Sequence, residues 1–197
     1  MKRFITLLFT LYAVLLQPLA ANASYFPSTQ ITVNKETAYC ASTPVFTTAA
    51  SATDIFNFTG SGTKTIYIRK IVWKQANVAS NGYHTVYLLK RSTANTGGTS
   101  SALTAVPLDS NFPSATASGV YYTANASSLG TSVGTIAHKF MKLYYDLSFF
   151  DVTLFDATKG GSPIVLRGTG ESISVNYNGV TDAIGTSAAV DIEWSEK

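Results

Sequence analysis

Short runs of alternating apolar and polar residues, separated by glycine-rich turns, limit the fold of this chain more than any other feature. In Thr63 to Trp73, Ile66 and Ile68 share one face of an extended backbone, and Tyr83 to Lys90 alternates in the same way. Alternation with a period of two is typical of a half-buried strand. Glycine-rich turns such as Gly60-Ser61-Gly62 suit the backbone angles that connections between strands require. The pattern predicts an all-β protein, because no window carries the apolar stripe of a helix.

Seven further segments continue the pattern: Thr104 to Leu108, Val120 to Thr123, Val133 to Tyr145, Val152 to Phe155, Pro163 to Arg167, Ser172 to Tyr177 and Ala189 to Trp194. From Asp54 onward there are roughly nine strands, close to the ~8 of a double-sheet jelly roll. We therefore predict a jelly-roll-like antiparallel β-sandwich, with an immunoglobulin-like sandwich as the alternative. Within it, Asp54 to Trp73 is expected to form a hairpin around Gly62.

The N-terminus has the pattern of a secretory signal peptide. A basic start at Lys2 and Arg3 precedes an uncharged apolar run, and the small residues Ala21 and Ala23 then stand before Ser24. This order of features is typical of a cleaved leader, and the apolar run is shorter than the ~20 residues of a spanning helix. We expect cleavage before Ser24 and an exported mature protein, periplasmic or extracellular, without a membrane span after cleavage.

Composition predicts three parts of the chain. Residues 1–23 are the expected signal peptide, and residues 24–53 are rich in serine, threonine and alanine and predict an N-terminal arm with one short strand, Gln30 to Val33. Residues 54–197 are the expected sandwich domain. Since Lys2 and Arg3 belong to the leader, the mature chain keeps 12 of the 14 basic residues against 11 acidic ones. A clustered basic face is the usual mark of nucleic-acid binding, so a nearly neutral chain with scattered basic pairs favours no nucleic-acid partner.

Catalytic and metal-binding patterns are not found in the sequence. His84 and His138 both fall in predicted strands, and no nucleophile elbow accompanies them. Cys40 is the only cysteine, so no intrachain disulfide is possible and a zinc set is not available. Asp146, Asp151 and Asp156 are spaced five apart, so along a strand they would alternate faces and not converge on calcium without a turn. We expect them to cap turns at the ends of loops. We expect no enzyme activity, no metal and no cofactor, with a carboxylate pair for glycoside hydrolysis as the one hydrolase alternative.

Aromatic side chains are the remaining candidates for binding. Tyr121-Tyr122 and Tyr144-Tyr145 are adjacent pairs in predicted strands, so each pair places one ring on each face of its sheet. The outward rings, for which we take Tyr122 and Tyr145, are candidates for stacking on a sugar or on another subunit. Two glycosylation sequons also occur, at Asn57 and Asn125.

Several phrases of the chain resemble a loose group of small bacteriophage-associated and bacterial structural proteins of jelly-roll type. They are DIFNFTGSGTKTIYI (Asp54 to Ile68), LLKRSTANTGGTS (Leu88 to Ser100), VPLDSN (Val106 to Asn111), VGTI (Val133 to Ile136) and PIVLRGTGESISVNYNG (Pro163 to Gly179). The resemblance implies a virion-like or surface role without a known activity, and the leader sets this chain apart as an exported member.

Taken together, these patterns predict an exported, non-enzymatic structural or interaction module. The expected partners are copies of itself or other surface proteins, in a larger surface or virion-like assembly. The predicted arm is a candidate to add a strand to a neighbour's sheet. The alternative is a carbohydrate-binding module or adhesin, whose partner is a glycan.

Overall fold

The computed structural model describes residues 36–75, 82–143, 150–179 and 187–197, and within these ranges it contains strands and no helix. There are thirteen strands: β1 (Thr37–Ser42), β2 (Phe46–Thr47), β3 (Asp54–Thr59), β4 (Thr65–Gln75), β5 (Gly82–Arg91), β6 (Thr99–Ala102), β7 (Val106–Pro107), β8 (Ser118–Ala124), β9 (Ser132–Leu143), β10 (Phe150–Asp156), β11 (Ile164–Arg167), β12 (Ser172–Asn176) and β13 (Ser187–Glu196). The described ranges accordingly hold no helix that could cross a membrane.

The strands form two antiparallel sheets that pack face to face. Sheet A has the order β10-β4-β13-β1-β7, with β11 also on β4 and β2 also on β13, and sheet B has the order β6-β8-β3-β12-β5-β9. The sandwich has eight principal strands if β10 and β11, which both pair with β4, are counted as one. In chain order they are β1, β3, β4, β5, β9, β10–β11, β12 and β13. The first, third, sixth and eighth lie in sheet A and the others in sheet B. This is the order of a jelly roll, which confirms the predicted fold class.

The core lies between the sheets and follows the alternation of the sequence. Ile66 and Ile68 of β4 and Val86 and Leu88 of β5 are completely buried. Trp194 of β13 joins the two sheets, because its ring packs edge-on against Phe58 of sheet B with centroids 4.8 Å apart. The same indole stacks on Tyr39 of β1 at 5.5 Å, so the core reaches into the first strand of the described chain.

The predicted hairpin between Asp54 and Trp73 is wrong. β3 belongs to sheet B and β4 to sheet A, so the turn between them carries the chain from one sheet to the other. Gly60 makes this crossing possible, since a side chain there would lie 2.4 Å from the carbonyl oxygen of Gly168. The Ser61 hydroxyl then accepts hydrogen bonds from the amides of Thr63 and Lys64 and closes the turn.

The predicted N-terminal arm does not extend to residue 53. β1 lies alongside β13 over six residues, from Thr37 opposite Glu196 to Ser42 opposite Asp191. Phe46 of β2 is also buried, against the ring of Tyr121. The segment contributes large side chains of its own to the core, since Tyr39 of β1 is completely buried. Gln30 to Val33 and the cleavage residues Ala21, Ala23 and Ser24 lie outside the described residues.

A long insertion, residues 92–131, separates β5 from β9 and covers one side of the sandwich. It adds β8 and β6 to sheet B and β7 to sheet A. Glu196 of β13 fastens it there: its carboxylate accepts hydrogen bonds from the amides of Thr116 and Ala117, at 3.0 Å, and from the Thr116 hydroxyl, at 2.7 Å. The Trp194 indole donates a further bond at 3.1 Å. One buried carboxylate therefore ties the insertion to the core.

Because these hydrogen bonds need an ionised Glu196, the attachment of the insertion to the core depends on pH. Burial raises the pKa of Glu196, but the hydrogen bonds from Ala117, Thr116 and Trp194 outweigh burial and hold the pKa below its ordinary value. A lowered folded-state pKa stabilises the protein above the pKa of an unfolded glutamate, and that contribution disappears as the pH falls through the folded pKa. Acid is therefore expected to loosen the insertion.

Glu196→Gln is expected to lower the free energy of unfolding by about 1–3 kcal/mol at neutral pH, because an amide group cannot accept all of these bonds. The difference from the wild type should shrink in acid, where the wild-type carboxyl is protonated as well. Urea unfolding followed by circular dichroism at neutral and acidic pH measures both effects. Glu193→Gln, on the same strand, is the control and should change the stability by less than about 0.5 kcal/mol. An equal loss for Glu196→Gln at both pH values would contradict this role.

Candidate interaction surface

Strand β9 is the terminal strand of sheet B and is the longest strand in the described chain, with 12 residues. It lies antiparallel to β5 from Gly82 opposite Leu143 to Arg91 opposite Ser132. No other described strand hydrogen-bonds to its far side. A terminal strand presents a row of backbone N–H and C=O groups that can accept another strand. Among the described strands β9 is thus an open edge, regular from Ala137 to Leu143 and interrupted by register shifts in its first half.

Large apolar side chains remain exposed on β9 and next to it. Val133 is 62% exposed, Phe140 is 66% exposed, and Tyr83 of β5 is 58% exposed. The rings of Tyr83 and Phe140 stack on each other with centroids 5.3 Å apart and planes within 5° of parallel. Such clustered exposed apolar groups tend to mark interaction sites, whereas isolated ones do not.

The stacked rings belong to a strip on the outer face of sheet B. Val86 points into the core, so its neighbours Thr85 and Tyr87 point outward, opposite Phe140 and His138 of β9. Tyr87 and His138 form the second aromatic contact, with centroids 6.1 Å apart. We call Tyr83, Tyr87, His138 and Phe140 the aromatic strip. The Lys142 ammonium lies 6.0 Å from the Tyr83 ring centroid and adds a positive charge at one end.

Charge distinguishes β9 from its neighbour at the same side of the sandwich. β9 carries Lys139 and Lys142 and no acidic residue, whereas β10 carries Asp151 and Asp156 and no basic residue. All four residues are exposed. β10 is the terminal strand of sheet A and contacts β9. We call the two strands together the open side.

A second polar cluster, on the outer face of sheet B, is covered by the insertion. Asp54 and Arg91 form a two-point ion pair with both nitrogen–oxygen distances at 2.8 Å. Asn95 and Asn176 also donate to the Asp54 carboxylate, at 2.7 and 2.5 Å. Arg91 donates in addition to the carbonyl of Gly130 at 2.6 Å. Both charged groups are buried and fully engaged by the protein, so this cluster holds the insertion in place.

The two tyrosines predicted for binding lie in different situations. Tyr122 of β8, itself part of the insertion, points to the outer face, as expected, but it packs beside Asn95 of the same insertion and is only 5% exposed. Burial raises the pKa of its hydroxyl, which forms a hydrogen bond with Asn95. A ring covered in this way offers little face for stacking on a ligand. Tyr145 lies outside the described residues.

The other residues singled out in the sequence have structural surroundings. His84 is buried beside Trp73 and Tyr177, whose side chains are joined by a 2.8 Å hydrogen bond. Cys40 of β1 is partly exposed on the outer face of sheet A. The Asp156 carboxylate accepts a hydrogen bond from the Thr158 amide at 2.8 Å, which is the turn-capping role expected of it. Asp146 lies outside the described residues.

Neither sequon presents an asparagine side chain that is clear of the fold. Asn57 is buried, and its amide donates to the hydroxyls of Ser172 and Ser174. Asn125 accepts a hydrogen bond from the Thr53 amide and donates one to the Ser51 carbonyl. Glycosylation at either position would break these contacts.

Clusters suited to metal chemistry were not found among the described residues, where no three His, Cys, Asp or Glu side chains come together in a way that could hold an ion. An apolar cavity of about 350 Å³ lies beneath the insertion, lined by residues that include Phe58, Leu103, Phe112 and Trp194. Its lining contains serine as the only hydroxyl-bearing residue type and no charged residue.

The fold and surface together define a jelly-roll β-sandwich with one covered side and one open side. Comparison with protein-family models, with curated proteins and with solved structures found no match to this chain. We therefore infer its function from the surface itself.

Of the aromatic strip, only His138 was singled out in the sequence, and only as a possible catalytic residue. Tyr83, Tyr87 and Phe140 were not, because adjacent tyrosine pairs drew attention to other strands. A signal for them is nevertheless present in Ile136 to Lys142, where apolar and basic residues mix on both faces. A strand buried on one side keeps its charges on the other side. Loss of that separation is typical of a terminal strand, where both faces reach solvent.

Proposed function

We propose that this protein is an exported, non-enzymatic interaction module that associates with copies of itself, or within a larger surface or virion-like assembly, through its open side. The observation that carries the proposal is β9, a 12-residue terminal strand with exposed Val133 and Phe140. Proteins that remain monomeric usually shorten, cover or twist such an edge. Strand addition at an edge gives affinity through backbone hydrogen bonds, and exposed side chains give specificity.

The near-neutral mature chain supports this proposal. With 12 of the 14 basic residues retained against 11 acidic ones, copies of the protein do not repel each other strongly. Aromatic residues are enriched in protein interfaces, and Tyr83 and Phe140 lie at the edge where a partner strand would be added.

Phe140→Asp is expected to shift wild-type oligomers toward monomer by at least about tenfold in dissociation constant, because it places a charge where an interface ring would be buried. Light scattering coupled to gel filtration, on protein purified after expression of the full chain, measures the mass over a range of concentrations. Leu108→Asp, at an exposed position on the opposite side, is the matched control and should leave the mass unchanged. A wild-type protein that is monomeric at every concentration would overturn self-association.

Glycan binding is the second candidate, and the aromatic strip is the observation that favours it. Sugar rings pack against aromatic side chains, and Tyr83 and Phe140 offer two exposed rings beside the positive charge of Lys142. A glycan array with the wild type and with Tyr83→Ala tests this function. Signals that disappear in the variant support glycan binding at the strip, and a blank array with the wild type contradicts it.

A further inference from the structure

The two sides of the sandwich differ in what their terminal strands offer. On the covered side, the terminal strands are β6, with four residues, and β7, with two. On the open side they are β9, with 12 residues, and β10, with seven. Short edges limit strand addition, whereas long ones allow it. Any partner that adds a strand to the described chain therefore has its longest templates on the open side.

The charges on β9 and β10 determine which strand of another copy can pair with each of them. Lys142 lies on the outer face of β9, opposite Tyr83, whereas Lys139 lies on its core-facing side, opposite Val86. Asp151 and Asp156 lie on the outer face of β10, opposite Lys74 and Lys70 of β4. The outer faces of β9 and β10 therefore carry opposite charges. Like charges on neighbouring strands destabilise a sheet, and opposite charges stabilise it. β9 and β10 are therefore complementary to each other and poor partners for themselves.

We propose that the partner at the open side is a second copy of this chain, with β9 of each copy hydrogen-bonded to β10 of the other. This inference rests on the proposed function, self-association, and names the strands that perform it. Because β9 and β10 lie together on one side of each copy, a twofold axis creates both strand pairs in one closed dimer. Closed twofold dimers are the commonest oligomers of soluble proteins. Sheet B of one copy then continues into sheet A of the other.

The aromatic strip fits this arrangement. Phe140 lies on β9 itself, and Tyr83 lies on the adjacent strand β5 with its ring stacked on Phe140. Both rings therefore flank the junction between the two copies and lose contact with water when it forms. Lys142, on the same outer face as the two rings, favours β10 as the partner strand, while the rings supply apolar area.

Charge reversal tests the pairing. Lys142→Glu is expected to weaken the dimer at least about tenfold, and so is Asp151→Lys, since each variant places like charges together at both junctions. Mixing the two variant proteins should restore a dimer, because one junction then carries the reversed charge pair and the other keeps the wild-type pair. Lys64→Glu, in the turn before β4, is the matched control. Analytical ultracentrifugation measures each dissociation constant, and circular dichroism checks folding.

Cross-linking provides a second measurement that does not depend on the charges. In a Cys40→Ser background, Lys142→Cys and Asp151→Cys, which lie on the outer faces of β9 and β10, are made as separate proteins, mixed, and treated with a short bismaleimide. We expect cross-links between the two variants and few within either one.

The outcomes separate the inference from the proposed function. Loss of the dimer in each charge variant, recovery on mixing and cross-links between the two variants support pairing of β9 with β10. A wild-type dimer that is insensitive to charge reversal, or in which Lys142→Cys cross-links mainly to itself, overturns the inference and leaves self-association standing. A wild-type monomer at every concentration overturns both.

Discussion

Asp54→Ala is expected to lower the free energy of unfolding by about 3–5 kcal/mol, because it leaves the guanidinium of Arg91 buried without its partner. In the wild type the Asp54 carboxylate accepts from Arg91, Asn95 and Asn176 and is completely buried. These groups come from β3, β5, β12 and the insertion. The change therefore removes the point where four parts of the chain meet.

A double-mutant cycle separates the pair from the rest of the cluster. Arg91→Ala alone should cost a similar amount, since it leaves the Asp54 carboxylate buried with fewer partners. The double variant Asp54→Ala, Arg91→Ala should lose clearly less than the two single losses combined, because no unpaired charge remains. Urea unfolding measured by circular dichroism gives the three values. Additive losses, or a loss below about 1 kcal/mol for Asp54→Ala, would contradict a central role for the ion pair.

Trp194→Ala is expected to cost about 3–5 kcal/mol, which is typical of removing a large buried aromatic ring. The ring packs against Tyr39 of β1 and Phe58 of β3, so it joins both sheets. Its loss would also enlarge the neighbouring cavity beneath the insertion, which has a volume of about 350 Å³.

Two companion variants determine what the Trp194 side chain contributes. Trp194→Phe keeps a ring but removes the N–H that donates to Glu196, so we expect a smaller loss, with the hydrogen bond itself accounting for about 1–2 kcal/mol. Val45→Ala, at an exposed position, should change the stability by less than about 0.5 kcal/mol. A similar loss for Trp194→Ala and Val45→Ala would show that the indole does not hold the sheets together.

The fold could be predicted from the sequence where the alternation within a single strand shows which of its faces is buried. The alternation of Ile66, Ile68, Val86 and Leu88 marks the inner face of β4 and β5 without knowledge of their neighbours. β1 was not predicted, because its burial depends on a distant strand. It pairs with β13, which lies more than 140 residues away in sequence.

The assignment of β3 and β4 to different sheets also depends on contacts that are distant in sequence. A glycine-rich connection is compatible with either a hairpin or a crossing, and the close approach of Gly60 to Gly168 decides between them. Local sequence contains no sign of that approach.

The candidate surface was less predictable than the fold. Lys90-Arg91 reads as an ordinary basic pair, yet Arg91 is buried against Asp54, which lies 37 positions away. Tyr122 was expected to be exposed because adjacent tyrosines on a strand place one ring on each face, but the outward ring is buried beside Asn95. Phe140 and Tyr83 become a strip only when β9 lies beside β5, and exposure of β9 follows from its place at the end of sheet B.

Amide hydrogen exchange tests the open side most directly, because it reports backbone hydrogen bonds strand by strand. The protein, purified after expression of the full chain, is exchanged at a low and a high concentration, and peptides covering each strand are compared by mass spectrometry. We expect protection of β9 and β10 to rise with concentration, while β6 and β7 on the covered side exchange equally at both. Exchange of β9 and β10 that is the same at both concentrations, in a protein that is nevertheless oligomeric at the higher one, would contradict association through the open side.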